Sequence, residues 1–95
     1  MNHFEIELST AARRDFRRLP RQVQDALLNT HFPIIQASPE TVGSPLSGRL
    51  QGQRSYHFGH RPQYRLLYKV IGNHILISTI ATREEVYKRA KRHRR

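Results

Sequence analysis

The stretch from Gln63 to Val70 (Gln-Tyr-Arg-Leu-Leu-Tyr-Lys-Val) limits the possible folds more than any other part of this chain. Tyr64, Leu66 and Tyr68 fall on one parity, Arg65 on the other, and Gly72-Asn73 follows at once. That dipeptide reverses the usual Asn-Gly order but still marks a tight turn between strands. A second run, His74 to Ile80, returns beside the first, and Arg54 to Phe58 precedes both. Consecutive strands with short connections predict a three-strand antiparallel meander. The remaining residues must cover it.

Upstream, Phe4, Ile6 and Leu8 alternate with His3, Glu5 and Glu7, the period-two pattern of a half-buried strand. Ser9 or Thr10 then suits the N-cap of a helix with Ala12, Phe16 and Leu19 on its apolar face. Pro20 fits the first turn of a second helix, whose stripe reads Val23, Leu27, Thr30 and Ile34, with Ala26 and Ile35 beside it. Pro33 lies inside that stripe and predicts a kink or break near Phe32. The two segments read as a helical hairpin. Residues 38 to 53 are rich in Ser, Pro and Gly, a loop long enough to suggest mobility or function. After the meander, Thr82-Arg83-Glu84-Glu85 is a capping box that opens a last helix. Its tail, Lys88 to Arg95, is expected to fray, because like charges four apart repel. The fold class is therefore α+β: an N-terminal strand, a helical hairpin, a three-strand antiparallel meander and a C-terminal helix, in one domain over residues 1–95.

Charge supplies the first functional signal. The 95 residues carry a net charge of +10, more than solubility requires, and this points to phosphate or to an acidic protein. There are 0 cysteines, so disulfides, thiolate metal sites and thiol nucleophiles are excluded, and a reducing cytoplasm suits the chain. Neither a secretory leader nor an apolar run long enough to span a membrane is visible, so no membrane partner is expected. None of the 7 acidic residues lies between Gln53 and Ile80. A two-carboxylate hydrolase or a two-metal nuclease is poorly supported by such a sheet. His57-x-x-His60 has ligand-like spacing, but without acids nearby it reads as a weak metal motif, and no metal is expected.

The meander instead concentrates Arg54, His57, His60, Arg61, Arg65, Lys69 and His74 among Tyr56, Phe58, Tyr64 and Tyr68. Cations and rings together suit RNA, although Tyr64, Leu66 and Tyr68 also read as plain core. Arg65 lies in the middle of the strongest strand, on the face opposite Tyr64 and Leu66. There it needs an anion: either Glu5 or Glu7 on a neighbouring strand, or a phosphate. Arg83 and Tyr87 are four apart on the last helix and point the same way. Arg83 also sits in the first turn, where free N–H groups favour an anion.

Two motifs, Tyr64-Arg65-Leu66-Leu67-Tyr68-Lys69-Val70 and Arg83-Glu84-Glu85-Val86-Tyr87, resemble the RelE/ParE superfamily of bacterial toxins. The frame agrees: the N-terminal strand, the basic hairpin with Leu19-Pro20, and Pro45-Leu46 with Leu50-Gln51-Gly52 before the meander. The resemblance covers essentially the whole chain. It implies a RelE-like fold and a ribosome-dependent mRNA endoribonuclease of a type II toxin–antitoxin pair. Such toxins cut message in the ribosomal A site without metal. The 2′-hydroxyl attacks the adjacent phosphate and leaves a 2′,3′-cyclic phosphate and a free 5′-hydroxyl. This chemistry needs a base, cations for the added negative charge and an acid for the leaving oxygen.

By that resemblance Arg65 would stabilise the phosphorane, Arg83 would clamp phosphate, and Tyr87 would stack on a base or orient the nucleophile. The RelE branch carries two lysines, two residues apart, on the preceding strand; here His57 and Gly59 stand at those places. His57, or else His60, is then the candidate for proton transfer, because imidazole titrates near neutrality. Arg54, His60 and Arg61 are candidate RNA-binding residues on the meander. Arg13 and Arg17, with Arg14, Arg18 and Arg21, are candidates for ribosomal RNA phosphates. The ParE branch, which poisons DNA gyrase, typically ends with a His and an Arg-Asp pair, so the Arg-Glu-Glu-Val-Tyr ending favours RelE. A ParE-like poison and a catalytically inactive ribosome- or RNA-binding homologue are the alternatives. The expected partner is an acidic antitoxin that folds onto the basic surface.

Overall fold

The computed structural model describes residues 4–92, with side chains described through Arg89. The elements are β1 (Glu5–Leu8), α1 (Thr10–Arg18), α2 (Arg21–Ala26), a π-helical turn (Leu27–His31), α3 (Phe32–Ala37), β2 (Ser44–Pro45), a short 3-10 turn (Gly48–Leu50), β3 (Arg54–Phe58), β4 (Tyr64–Ile71), β5 (His74–Thr82) and α4 (Arg83–Arg92). One five-stranded sheet runs β1-β5-β4-β3-β2, with β1 parallel to β5 and every other pair antiparallel. The α+β class and the meander are as expected. The sheet exceeds three strands because β1 returns beside β5 and because the Ser/Pro/Gly stretch contributes β2. The tail was expected to fray from Lys88, but α4 continues through Arg92; residues 93–95 lie outside the described residues, as does His3 of the expected first strand.

Local chemistry explains the element starts. Ser9 is the N-cap of α1, its hydroxyl accepting from the Ala12 N–H at 3.0 Å. Pro20 sits one place earlier than expected, as the residue before α2. The kink expected at Pro33 is displaced. Pro33 has no N–H to donate, and the chain absorbs the misfit one turn earlier as the π turn, where the Phe32 N–H reaches back to the Leu27 carbonyl. A π turn adds a residue, so the apolar stripe slips. Phe32 and Ile35 are buried, whereas Thr30 and Ile34 of the expected stripe are exposed.

The sheet has two unlike faces. Helices α1 to α3 cover one, where Leu66, Tyr68, Ile75 and Ile77 are fully buried with Leu27 and Ile35. Tyr64 and Tyr68 are core, as their alternation allowed. The Tyr68 hydroxyl lies 2.7 Å from the Pro39 carbonyl and 2.8 Å from that of Val42. It thereby ties the 38–42 loop to the sheet. Gly72, at φ 59°, occupies the first place of the two-residue β4–β5 turn, which suits a type II′ hairpin and explains the Gly-Asn order. A bulge then interrupts the β4–β5 ladder: Leu67 faces Thr79 and Tyr68 faces Ile77, so Ser78 is the extra residue. Past the bulge the parity of β5 changes. Ile80 turns into the helix-covered core, and Ala81 turns to the opposite face.

Candidate active site on the open sheet face

The second face carries a smaller apolar cluster, Leu67, Ala81 and Val86, with Leu46 and Leu50 packed against it. The long loop is thus fixed in part by its own leucines. Beside this cluster, His57 on β3, Arg65 on β4 and Ala81 on β5 form one lateral row of paired residues. Directly opposed side chains on one face stand about 4.5–5.5 Å apart at Cβ. His57 is exposed and Arg65 half-buried. The methyl group of Ala81 is short enough for α4 to lie close above the sheet, anchored by Val86.

The start of α4 is fixed by backbone bonds. The Arg83 N–H donates to the Gln63 carbonyl at 3.0 Å, and the Glu85 N–H donates to Thr82 Oγ1 at 3.3 Å, the half of the capping box that was expected. These bonds revise one expectation: two of the first three N–H groups of α4 are already occupied, so an anion here would rely on side-chain cations.

Those cations converge on Tyr87. The guanidinium carbon of Arg65 lies 5.8 Å from the Tyr87 ring centroid, and that of Arg83 lies 5.6 Å from it. Tyr87 does not pack flat on the sheet; it is 51% exposed. Arg65 finds no carboxylate among the described residues. Its Nε and one terminal nitrogen lie 3.4 and 3.5 Å from Gln63 Oε1, a neutral partner at the limit of hydrogen bonding. The carboxylate alternative for Arg65 fails because β5 separates β4 from β1. Glu7 instead meets His74.

The other candidates scatter. Arg54 is paired opposite Tyr68, away from the row of His57, and its guanidinium donates to the carbonyls of Val42 at 3.1 Å and Gly43 at 3.2 Å. Its role is to hold the loop. His60 and Arg61 are exposed in the β3–β4 turn, which leads directly into Gln63 and β4. Arg13 and Arg17 are exposed on α1. Gly59 is not on β3 at all: it takes φ 81° in the turn, and a Cβ there would stand 3.1 Å from the Pro62 carbonyl oxygen. Among the described residues, His57 and His60 gather no third metal donor; Glu5, Glu7 and His74 do cluster, on the exposed side of β1 and β5.

The sequence reading missed Asp15. This buried carboxylate accepts from the Ile80 N–H at 3.0 Å and from two nitrogens of Arg89, each at 3.0 Å. Hydrogen bonding to Asp15 is the main reason that the Arg89 pKa is raised. The available signal was an Asp among four arginines on a helix otherwise free of acids. Sequence spacing did not indicate its partner 74 residues away.

Comparisons with known proteins bear on the family and the fold. Residues 6–87 match the family model of the ParE toxin of the type II toxin–antitoxin system parDE. The toxin RelG of Mycobacterium tuberculosis is 32% identical over 88 residues, 90% of this chain and 98% of that protein. The toxin–antitoxin complex RelBE2 of the same organism superposes with a TM-score of 0.75 at 30% identity, over 85% of this chain and 99% of the other. E. coli RelE in the free state shares the fold, with a TM-score of 0.73 at 23% identity over 99% and 100% of the two chains. A family model spanning most of the sequence, and a relative matched along its full length, place this protein in the RelE/ParE superfamily of type II toxins.

Proposed function

We propose that this RelE-like toxin is an mRNA endoribonuclease that acts in the ribosomal A site, in the cytoplasm, by attack of the message's own 2′-hydroxyl on the adjacent phosphate. The observation that carries the proposal is the convergence of Arg65 and Arg83 on Tyr87, with no carboxylate on Arg65 to neutralise its charge. Fixed guanidinium donors on a sheet suit a phosphorane, whose charge develops only as the reaction proceeds. Arg65 stabilises that charge, Arg83 holds the phosphate, and Tyr87 stacks on the base or orients the attacking ribose. His57, paired across the strands with Arg65, serves in proton transfer. The reaction as proposed uses no metal.

Arg13 and Arg17 on α1, with His60 and Arg61 in the β3–β4 turn, contact ribosomal or messenger RNA phosphates, which position without reading sequence. An acidic antitoxin neutralises the protein. A groove of about 510 Å³ between β1, α1, the π turn and α3 supports this partner, since Ile6, Leu8, Phe16, Leu28 and Phe32 line it, with Arg13 and Glu7 at its sides. The RelBE2 structure, a toxin–antitoxin complex, gives the precedent.

The test is a translation reaction with end-labelled message, run with the wild type and with Arg65→Ala. Cleavage within translated message by the wild type alone is expected. A second reading, poisoning of DNA gyrase, is favoured by one observation: the matching family model is that of ParE toxins. Intact message together with accumulating gyrase–DNA complexes would establish that reading instead.

A further inference from the structure

Helix α4 carries two of the four proposed catalytic groups, so whatever fixes α4 fixes the site. Its first turn is held by the Arg83 N–H on Gln63 and by the Thr82 cap. Its middle is held by Val86 in the cluster with Leu67 and Ala81. Neither contact sets its rotation about its own axis, because a single apolar knob can roll in an apolar cluster. Three residues after Val86, Arg89 leaves the opposite side of the same surface and reaches α1. There Asp15 takes it in a bidentate clasp, with two parallel N–H···O bonds of 3.0 Å each. This is the most geometrically specific ion pair that side chains can make. The Asp15 side chain is only 7% exposed, and the same Oδ2 also accepts the Ile80 N–H on β5. Asp15 is thereby anchored to the sheet just beyond the bulge, next to Ala81. Glu85 braces Arg89 from one turn back at 3.4 Å.

We infer that Asp15 is a positioning residue: by clasping Arg89 across α1, β5 and α4 it sets the rotation of α4 that brings the Tyr87 ring within reach of both Arg65 and Arg83. The inference rests on the endoribonuclease reading for its kinetic consequence, but its structural half stands alone. Tyr87 and Arg89 are two residues apart, about 200° around the helix. Pulling Arg89 toward α1 therefore drives Tyr87 to the other side, over β4 and Arg65. Loss of the clasp frees that rotation, and a misplacement of about 1 Å in such a site costs up to roughly a hundredfold in rate.

Asp15→Asn keeps an acceptor for the Ile80 N–H and removes the charge of the bidentate partner of Arg89, leaving Glu85. Arg89→Met leaves Asp15 and Ile80 untouched and retains the helix-forming stem. Three measurements are made on each: thermal unfolding, the NMR resonances of a 13C-labelled Tyr87 ring, and kcat and KM for message cleavage on translating ribosomes. With folding retained, the Tyr87 ring resonances are expected to move toward solvent values in both variants. The value of kcat should fall roughly ten- to a hundredfold with KM changed less than threefold. Arg89→Lys, which restores the charge without the fork, should recover part of both effects, and the double variant Asp15→Asn/Arg89→Met should be no worse than the more impaired single.

Unmoved Tyr87 resonances in folded Asp15→Asn and Arg89→Met would overturn the inference whatever the activity, as would moved resonances with unchanged kcat. If Asp15→Asn does not fold, Arg89→Met decides the question alone. A wild-type protein that cleaves no message sinks the endoribonuclease reading, while the ring resonances still judge the clasp.

Discussion

Replacing Arg65 by Ala tests the site most directly, and its magnitude follows from the surroundings of the side chain. Arg65 meets one neutral oxygen, Gln63 Oε1 at 3.4 Å, and the face of Tyr87 at 5.8 Å. Its positive charge is therefore not spent on a carboxylate. One unit of developing negative charge about 4 Å away gains about 4 kcal/mol at an effective dielectric near 20. Arg65 is half-buried rather than enclosed, so solvent screening reduces the gain toward about 2 kcal/mol. The range of about 2–4 kcal/mol corresponds to a loss of roughly 30- to 1,000-fold, which brackets what one oxyanion donor is worth in other enzymes.

The loss should appear in kcat, because the phosphorane charge exists only in the transition state. Arg17→Ala on the exposed face of α1 is the contrasting variant. A ground-state phosphate contact should raise KM, lower the salt slope of binding by about one, and leave kcat near the wild-type value. Single-turnover cleavage on stalled ribosomes, across a salt series, separates the two. If Arg65→Ala and Arg17→Ala give the same loss in the same constant, the cluster on Tyr87 is an ordinary basic patch and the electrostatic reasoning fails.

Other expectations follow from individual contacts. His57→Ala should slow single-turnover cleavage, and an unchanged rate with the fold intact would remove His57 from proton transfer. Gly59→Lys should not supply the lysine found at this place in RelE toxins. Its φ of 81° should cost about 1–2 kcal/mol, read as a lower thermal midpoint, with no gain in cleavage. Burial lowers the His31 pKa and raises that of Tyr56, whose Oη lies 2.8 Å from His31 Nδ1. A lowered folded pKa means that the unfolded chain takes up the proton first. Stability should thus fall as pH drops below about 6.5 toward the folded value and be unaffected by this group above it, and His31→Gln should reduce that pH dependence in thermal melts.

The parts of the fold that were legible in the sequence are those carried by local period and by caps. The alternation of Tyr64, Leu66 and Tyr68 put the tyrosines in the core and Arg65 on the other face, and the structure agrees. Ser9 and Thr82 cap the helices that they precede. What periodicity did not disclose came from inserted residues and from contacts between distant segments. The π turn before Pro33 slips the helical stripe by one residue, and the bulge at Ser78 changes the parity of β5. Neither leaves a periodic signature, because each inserts one residue into an otherwise regular run. Asp15 was illegible for the same reason: its partners lie 65 and 74 residues away.

Those irregularities are also what lets the site form. Without the extra residue at Ser78, the parity of β5 would turn Ile80 to the face beneath α4 and bury Ala81 among the helices. A bulkier residue under α4 would lift the helix from the sheet and carry the Tyr87 ring away from Arg65, which is fixed on β4. The pairing of β1 with β5 ends at Ile77, and beyond that end Asp15 accepts the Ile80 N–H. The same carboxylate then holds Arg89. The inserted residue thus accounts for the low floor, while Asp15, bonded to Ile80 and Arg89, ties that floor to the helix above. The basic motifs suggest the proposed chemistry, but the geometry that would make it productive depends on the bulge at Ser78 and the carboxylate of Asp15.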